Sequence, residues 1–172
     1  LDLPVVVIDR SIHHNISTVV SENFEGARQA TLFLKEKGCQ VIAHLRGPEH
    51  VVTANERYQG YIDVVQNESW FHEGLVAVGN YEMKTSAEVT KDLLNKHPEI
   101  DGIFAGNDVM GVGAIKAVKQ MGKRIPEDVS IIGFDGITLG EMIHPELTTI
   151  AQPIYDMGLL GARMLIKQIE KK

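Results

Sequence analysis

A chain of 172 residues, 44% hydrophobic and 23% charged, carries enough apolar material for one well-buried domain with fragments of a second, in the proportions of an ordinary globular protein. Its formal net charge of −6 repels phosphate backbones, and its basic residues are scattered, so this stretch is not expected to grip DNA by itself. A single cysteine, Cys39, excludes an internal disulfide framework and a Cys-rich zinc site and fits a reducing cytoplasm, and no apolar run is long enough to span a membrane.

The first predicted element is a strand at Val5–Ile8, followed by Asp9-Arg10. The chain enters it directly from Leu1-Asp2-Leu3-Pro4, which reads as a sequence beginning mid-protein. His13 and His14 are neighbours whose rings would point oppositely in extended chain, so they read as solvated loop histidines. Gly38-Cys39 marks a helix end, and no base beside Cys39 identifies it as a nucleophile. The strand Val41–Leu45 contains His44, read as a core histidine, and leads to the loop Arg46-Gly47-Pro48. Thr53-Ala54-Asn55-Glu56 has the pattern of a capping box opening a helix that carries Arg57. A third strand, Leu75–Val78, is followed by Tyr81 and a second capping-box pattern, Thr85-Ser86-Ala87-Glu88. After the strand Ile103–Ala105 comes Asn107-Asp108, where Asn107 suits either a helix cap or a ligand contact. Met110, Ala114, Ala117, Val118 and Met121 form an apolar stripe ended by Gly122, with Gly111 and Gly113 inside the helix for close packing against the sheet. A strand at Val129–Phe134 ends on Asp135, and an extended piece at Thr148–Ala151 ends on Gln152. The last helix shows Met157, Leu160, Gly161, Met164 and Leu165 at the same helical spacing.

Short apolar strands alternating with helices predict a doubly wound α/β fold with a mainly parallel sheet and right-handed crossovers. Ligands of such sheets bind beyond the carboxyl ends of the strands. The residues that follow the strands, Asp9, Thr53, Arg57, Tyr81, Asn107, Asp135 and Gln152, therefore collect on one edge, with Tyr81 and Phe134 as flat apolar faces. Acids, a guanidinium and amides match the paired donor and acceptor character of sugar hydroxyls, and aromatic rings cover sugar C–H faces. From the residues alone this is a polar small-ligand cleft. There is no nucleophile elbow, no His-Glu-x-x-His pair and no Gly-rich phosphate loop with a following Lys-Ser/Thr, so neither catalysis nor a cofactor or metal is expected.

Five segments in register carry a resemblance: Leu3 to Arg10, Arg57 to Tyr61, Phe104 to Met110, Ile125 to Asp135 and Pro145 to Pro153. Together they are similar to the lactose/galactose repressor (LacI/GalR) family of bacterial transcription regulators. That resemblance implies a two-lobed effector core shaped like periplasmic binding proteins, with a Rossmann-like three-layer α/β/α lobe, preceded by a helix-turn-helix headpiece. On it, residues 1–10 end the N-terminal lobe, 11–150 form the C-terminal lobe, and 151–172 return to the first lobe as a helix from Ile154 to Ile169. The headpiece, most of the N-terminal lobe and a final strand would lie outside this chain.

The resemblance carries effector contact onto Asp9, Thr53, Arg57, Tyr81, Asn107, Asp135 and Gln152. Arg57 and Asp135 would hold sugar hydroxyls, and Tyr81 would lie against the ring. Replacing Arg57 by alanine should then abolish the response with the fold intact. Val51 stands where purine-sensing relatives have arginine, which favours a sugar over a nucleobase. Gly111 replaces a usual alanine, a change expected only to loosen packing, and Gly136 replaces a common second acid. The implied partners are a small-molecule effector, a sugar first of all, operator DNA through the headpiece, and a second copy in a homodimer or tetramer. A phosphocarrier protein is a further possible partner. The competing reading is a periplasmic sugar-binding protein of an ABC transporter, with a secretory signal upstream; residues Thr148 to Pro153 resemble the repressors more closely.

Overall fold

The computed structural model describes residues 3–10 and 16–170; His13 and His14 lie outside them. In chain order the elements are β1 (Val6–Ile8), β2 (Ser17–Val19), α1 (Asn23–Glu36), β3 (Ile42–Arg46), α2 (Val52–Val65), β4 (Val76–Val78), α3 (Met83–Lys96), β5 (Gly102–Ala105), α4 (Asp108–Gln120), β6 (Ser130–Asp135), β7 (Thr148–Ala151) and α5 (Ile154–Glu170). Five strands form one parallel sheet in the order β4-β3-β5-β6-β7, and β1 and β2 pair in parallel as a separate two-stranded sheet.

The alternation of side chains along the central strands builds the three layers. On one face Ala43, Leu45, Ile103, Ala105 and Ile131 pack into a core with Leu93, Leu94, Met110, Ala114 and Val118 of α3 and α4. On the other, Ile42, Phe104, Ile132 and Phe134 pack against Ala27, Ala30 and Leu34 of α1 and Tyr61 and Val65 of α2. Because both faces are covered, these strands are largely apolar, the pattern expected of parallel strands in an α/β fold, with His44 as the polar residue inside β3. His44 is fully buried in β3, its ring stacked on Phe104 and Tyr61 at centroid distances of 4.7 and 5.0 Å. Its Nδ1 is 2.9 Å from the Phe104 carbonyl, while Nε2 has no partner, so the expected core histidine is only half satisfied.

Three local readings are corrected. Neither capping box forms: α2 starts from extended Val51 with no side-chain cap, which puts Thr53 inside the first turn. Likewise α3 starts from Glu82, whose carboxylate accepts the Thr85 hydroxyl at 2.7 Å, so the carboxylate precedes the hydroxyl. The cause is the turn after β4, where Asn80 and Tyr81 take φ of 54° and 61° and start the helix earlier than the Thr-x-x-Glu pattern suggests. The third concerns α4, whose glycines pack closely but not against the sheet: a Cβ on Gly111 would stand 2.7 Å from Leu147, and one on Gly113 would press on α3. Gly111 therefore admits Leu147 and does not merely loosen the helix.

The smaller sheet is finished differently. Helix α5 packs on β1 and β2, Gly161 letting Ile8 approach closely, yet only Met157 and Gly161 of this helix are buried. Ile154, Tyr155, Leu160, Ile166 and Ile169 are each at least half exposed.

Candidate functional site: a polar cleft at the carboxyl ends of the strands

The carboxyl ends of β3, β4, β5 and β6 and the first turns of α2 surround a cavity of about 150 Å³, closed on one side by the residues after β1. Asp9, Arg10, Val51, Thr53, Arg57, Tyr81, Asn107 and Asp135 line it. The structure thus brings six of the seven sequence-derived candidates together. Gln152 is placed behind the cavity: its Nε2 donates to Asp135 Oδ1 at 2.8 Å, and its Oε1 accepts from Ser21 at 2.6 Å.

Arg57 and Asp135 form the floor. The Arg57 guanidinium reaches Asp135 Oδ1 at 3.0 Å, and its side chain is only 4% exposed. It also donates to the Gly106 carbonyl at 2.7 Å and to Asn23 Oδ1 at 2.8 Å, and lies 3.9 Å above the Phe134 ring. A guanidinium held on three sides and stacked on an aromatic face keeps one orientation, so its charge points at one place. Two expectations change accordingly. Phe134 is buried beneath Arg57 and offers no face to a ligand. Removing Arg57 would orphan Asn23 and the Gly106 carbonyl in the interior, so alanine there cannot leave the fold untouched.

Asp135 sits at φ 114° and is followed by Gly136 at φ 78°. A buried carboxylate stabilises this strained turn. Asp108, fully buried at the start of α4, accepts the amides of Gly136 and Ile137 through Oδ2 at 2.7 and 2.8 Å, and the Thr149 hydroxyl through Oδ1 at 2.6 Å. Gly133 makes the arrangement possible, since a Cβ there would collide with Asp108 Oδ1 and Leu147. Burial raises the Asp135 carboxyl above its ordinary value, and the neighbouring Arg57 and the Gln152 amide only partly offset it.

The rim is strained as well. Of the four non-glycine residues with positive φ among the described residues, Asp9, Tyr81 and Asp135 line the cavity, and Asn80 adjoins Tyr81. Such backbone persists where the surroundings over-determine it, and it gathers at ligand sites. Tyr81 closes over the cavity because Gly47 has no side chain; a Cβ there would press on the phenol ring. Asn107 caps α4, its Oδ1 accepting the Met110 amide at 2.9 Å, and it also lines the cavity. Arg46 turns away, bonding Asn55 at 2.5 Å and stacking on Tyr58. Burial pushes the half-buried Cys39 thiol up, which disfavours a nucleophilic thiolate.

The strand-end pattern does not mark Arg10 as a lining residue, nor Asp108, Asn23 and Ser21 as the supports of the floor, while Val51, the position through which the resemblance favours a sugar, also lines the cavity. The signal for Asp108 was the acid opening a helix beside Asn107, but that signal alone reads as a helix-dipole contact. Chemically, the cavity offers carboxylate acceptors (Asp9, Asp135), cationic and neutral donors (Arg57, Thr53, Asn107) and one ring (Tyr81). This is the equipment for holding a small polyhydroxylated molecule.

A family model described as a periplasmic binding protein-like domain matches residues 31–172. The chain belongs to that family. A ribose operon repressor from Halalkalibacterium halodurans is 51% identical over all of this chain, which spans 51% of that protein. The solved structure of the transcriptional regulator CelR in complex with cellobiose superposes with a TM-score of 0.89 at 34% identity, covering 96% of this chain and 52% of CelR. A LacI family regulator from Enterococcus faecium with bound ribose gives a TM-score of 0.83 at 31% identity, covering 97% of this chain and 62% of that one. The periplasmic-binding-protein-like chain is thus related to LacI family regulators, as its five motifs implied, and spans about half the length of the curated relatives it matches. None of its described helices is long and apolar enough to cross a membrane.

Proposed function

We propose that this chain is the sugar-sensing part of a bacterial transcriptional repressor, with a pentose of the ribose type as effector, and that it binds its ligand without transforming it. The observation that carries this reading is the immobilised Arg57–Asp135 pair at the floor of a polar cavity roofed by Tyr81. Such a pair presents a fixed donor and a fixed acceptor to adjacent hydroxyls with little cost of reorganisation on binding. Relatives named as repressors, and a ribose-bound relative at 31% identity, favour a regulator over a transport receptor and a sugar over a nucleobase.

The five-stranded body supplies one wall of the cleft, and β1 and α5 belong to the opposite lobe together with β2, which pairs with β1 although the resemblance assigns residues 11–150 to the C-terminal lobe; the remaining residues of that opposite lobe cover the open apolar face of α5. Effector binding favours one relative arrangement of the lobes, and in a dimer this changes affinity for operator DNA. Binding of the whole protein to its own upstream promoter DNA, measured with and without D-ribose, other pentoses, hexoses, disaccharides and purine nucleosides, tests the proposal. One sugar should shift DNA affinity by about 5- to 150-fold, the usual range of such coupling. DNA binding that ignores every sugar, or answers only to a purine nucleoside, would overturn it.

A further inference from the structure

At the opposite end of the sheet, the amino ends of β4 and β5 carry His72, His97 and Glu99, which no part of the effector cleft uses. His72 immediately precedes the 3-10 turn Glu73–Leu75 that leads into β4, and His97 caps the carboxyl end of α3. One ligand atom from each residue can be chosen so that all lie within 4.8 Å of one another. The two imidazole rings stand 4.9 Å apart and tilted by 55°, and His97 Nδ1 is 3.5 Å from Glu99 Oε1. Gly74 leaves the space: a Cβ on it would be 2.9 Å from His72 Nδ1 and 3.5 Å from His97 Nε2.

We propose that His72, His97 and Glu99 bind a divalent transition-metal ion of the zinc class. Two imidazoles and a carboxylate are the donor set that zinc, nickel and copper prefer, whereas calcium and magnesium require oxygen ligands. Bonds of about 2.0 to 2.2 Å at a tetrahedral centre need ligand atoms roughly 3.4 Å apart, so small rotations of partly exposed side chains close the site. The carboxyl end of α3 adds a favourable field for a cation. Glu73 beside His72 adds negative charge, and Lys96 beside His97 opposes it. Three protein ligands leave a position for water or a donor from another molecule. The bound ion ties the start of edge strand β4 to the end of α3, because the ligands come from either side of both elements. The expectation of no metal arose because these ligands form no short motif and meet only through the fold.

The test is calorimetric titration of zinc chloride into the whole protein, with cobalt(II) absorption as a second readout of tetrahedral coordination. Wild type should bind one zinc saturably and unfold at a higher temperature with zinc than with chelator. His72→Ala and His97→Ala should each weaken binding by at least the roughly 10- to 100-fold that loss of an outer partner of a metal ligand costs. Because His13 and His14 are the chain's adjacent imidazoles, the His13→Ala/His14→Ala variant must keep the site. Absence of saturable zinc binding in wild type, binding that survives both ligand substitutions, or binding lost with His13 and His14 would each overturn the proposal. Should either ligand variant fail to fold in chelator, Glu99→Gln supplies the comparison through the cobalt spectrum.

Discussion

In the five-stranded body, β5 is buried at every position and β3 at every position but Arg46, with a helical layer on each side. In the smaller unit β1, β2 and α5 meet edge to face, but α5 buries only two residues and leaves Ile154, Leu160 and Ile166 open. The apolar stripe of α5 is as regular as that of α4, so periodicity marks a face that wants cover without saying whether its cover is at hand. The cleft lies where these two regions meet, with Asp9 and Arg10 from the small unit and the other lining residues from the body or the loops beside it. A rigid wall facing a lightly held one is the arrangement that lets a ligand bias their relative position.

That contrast can be broken at its most buried point. Asp108→Ala leaves the partly buried amides of Gly136 and Ile137 and the Thr149 hydroxyl without their acceptor, and should cost about 3 kcal/mol in urea unfolding, the lower end of the usual 1 to 3 kcal/mol for each of the three groups because none is fully enclosed. A cost below 1 kcal/mol would mean that Asp108 does not hold the Asp135 turn. Phe104→Ala, at the centre of the sheet beside His44, should cost about 3 to 5 kcal/mol by the same measurement.

The buried imidazole gives the body a pH signature. Burial depresses His44 to about 3 from an ordinary value near 6.5, so it stays neutral in the fold while the unfolded chain takes up the proton. Its contribution is complete above about pH 6.5 and is lost as the pH falls from there towards 3. His44→Phe should therefore flatten the acid limb of stability by about one proton in that window, read from unfolding free energies across pH. An unchanged slope would show that His44 is charged in the folded protein.

The smallest effect belongs to α5. Leu160→Ala in this chain should change stability by less than about 0.5 kcal/mol, as for a surface position. The same substitution in the whole protein should cost about 2 kcal/mol or more if the opposite lobe covers that face. Equal small effects in both contexts would remove the proposed cover.

The strands after which the lining residues stand were legible because buried parallel strands are short and continuously apolar, and because polar residues follow them at the carboxyl edge. Strand β2 was not: Ser17-Thr18-Val19 is too short and too polar to announce itself, and forms through pairing with β1. The capping patterns misled because the turns before α2 and α3, one through extended Val51 and one through left-handed Asn80 and Tyr81, decide where those helices begin. Six candidates reach the cavity because their positions follow strand ends. The roles of Asp108, Gly133 and Gln152 depend on which side chains meet across the sheet, and single positions in a sequence do not carry that.

The role of Asp135 as the fixed acceptor of the cleft is tested most directly by calorimetric titration of D-ribose into the whole protein and its Asp135→Asn variant. Wild type should bind saturably, and the variant more weakly by roughly 10- to 100-fold, the worth of a hydrogen bond to a charged group. In wild type, affinity should also fall on acidification from a higher pH than an ordinary carboxylate requires, because burial raises Asp135 and only its ionised form accepts from two hydroxyls. Ribose binding of equal strength in both proteins, with no acid dependence, would contradict it.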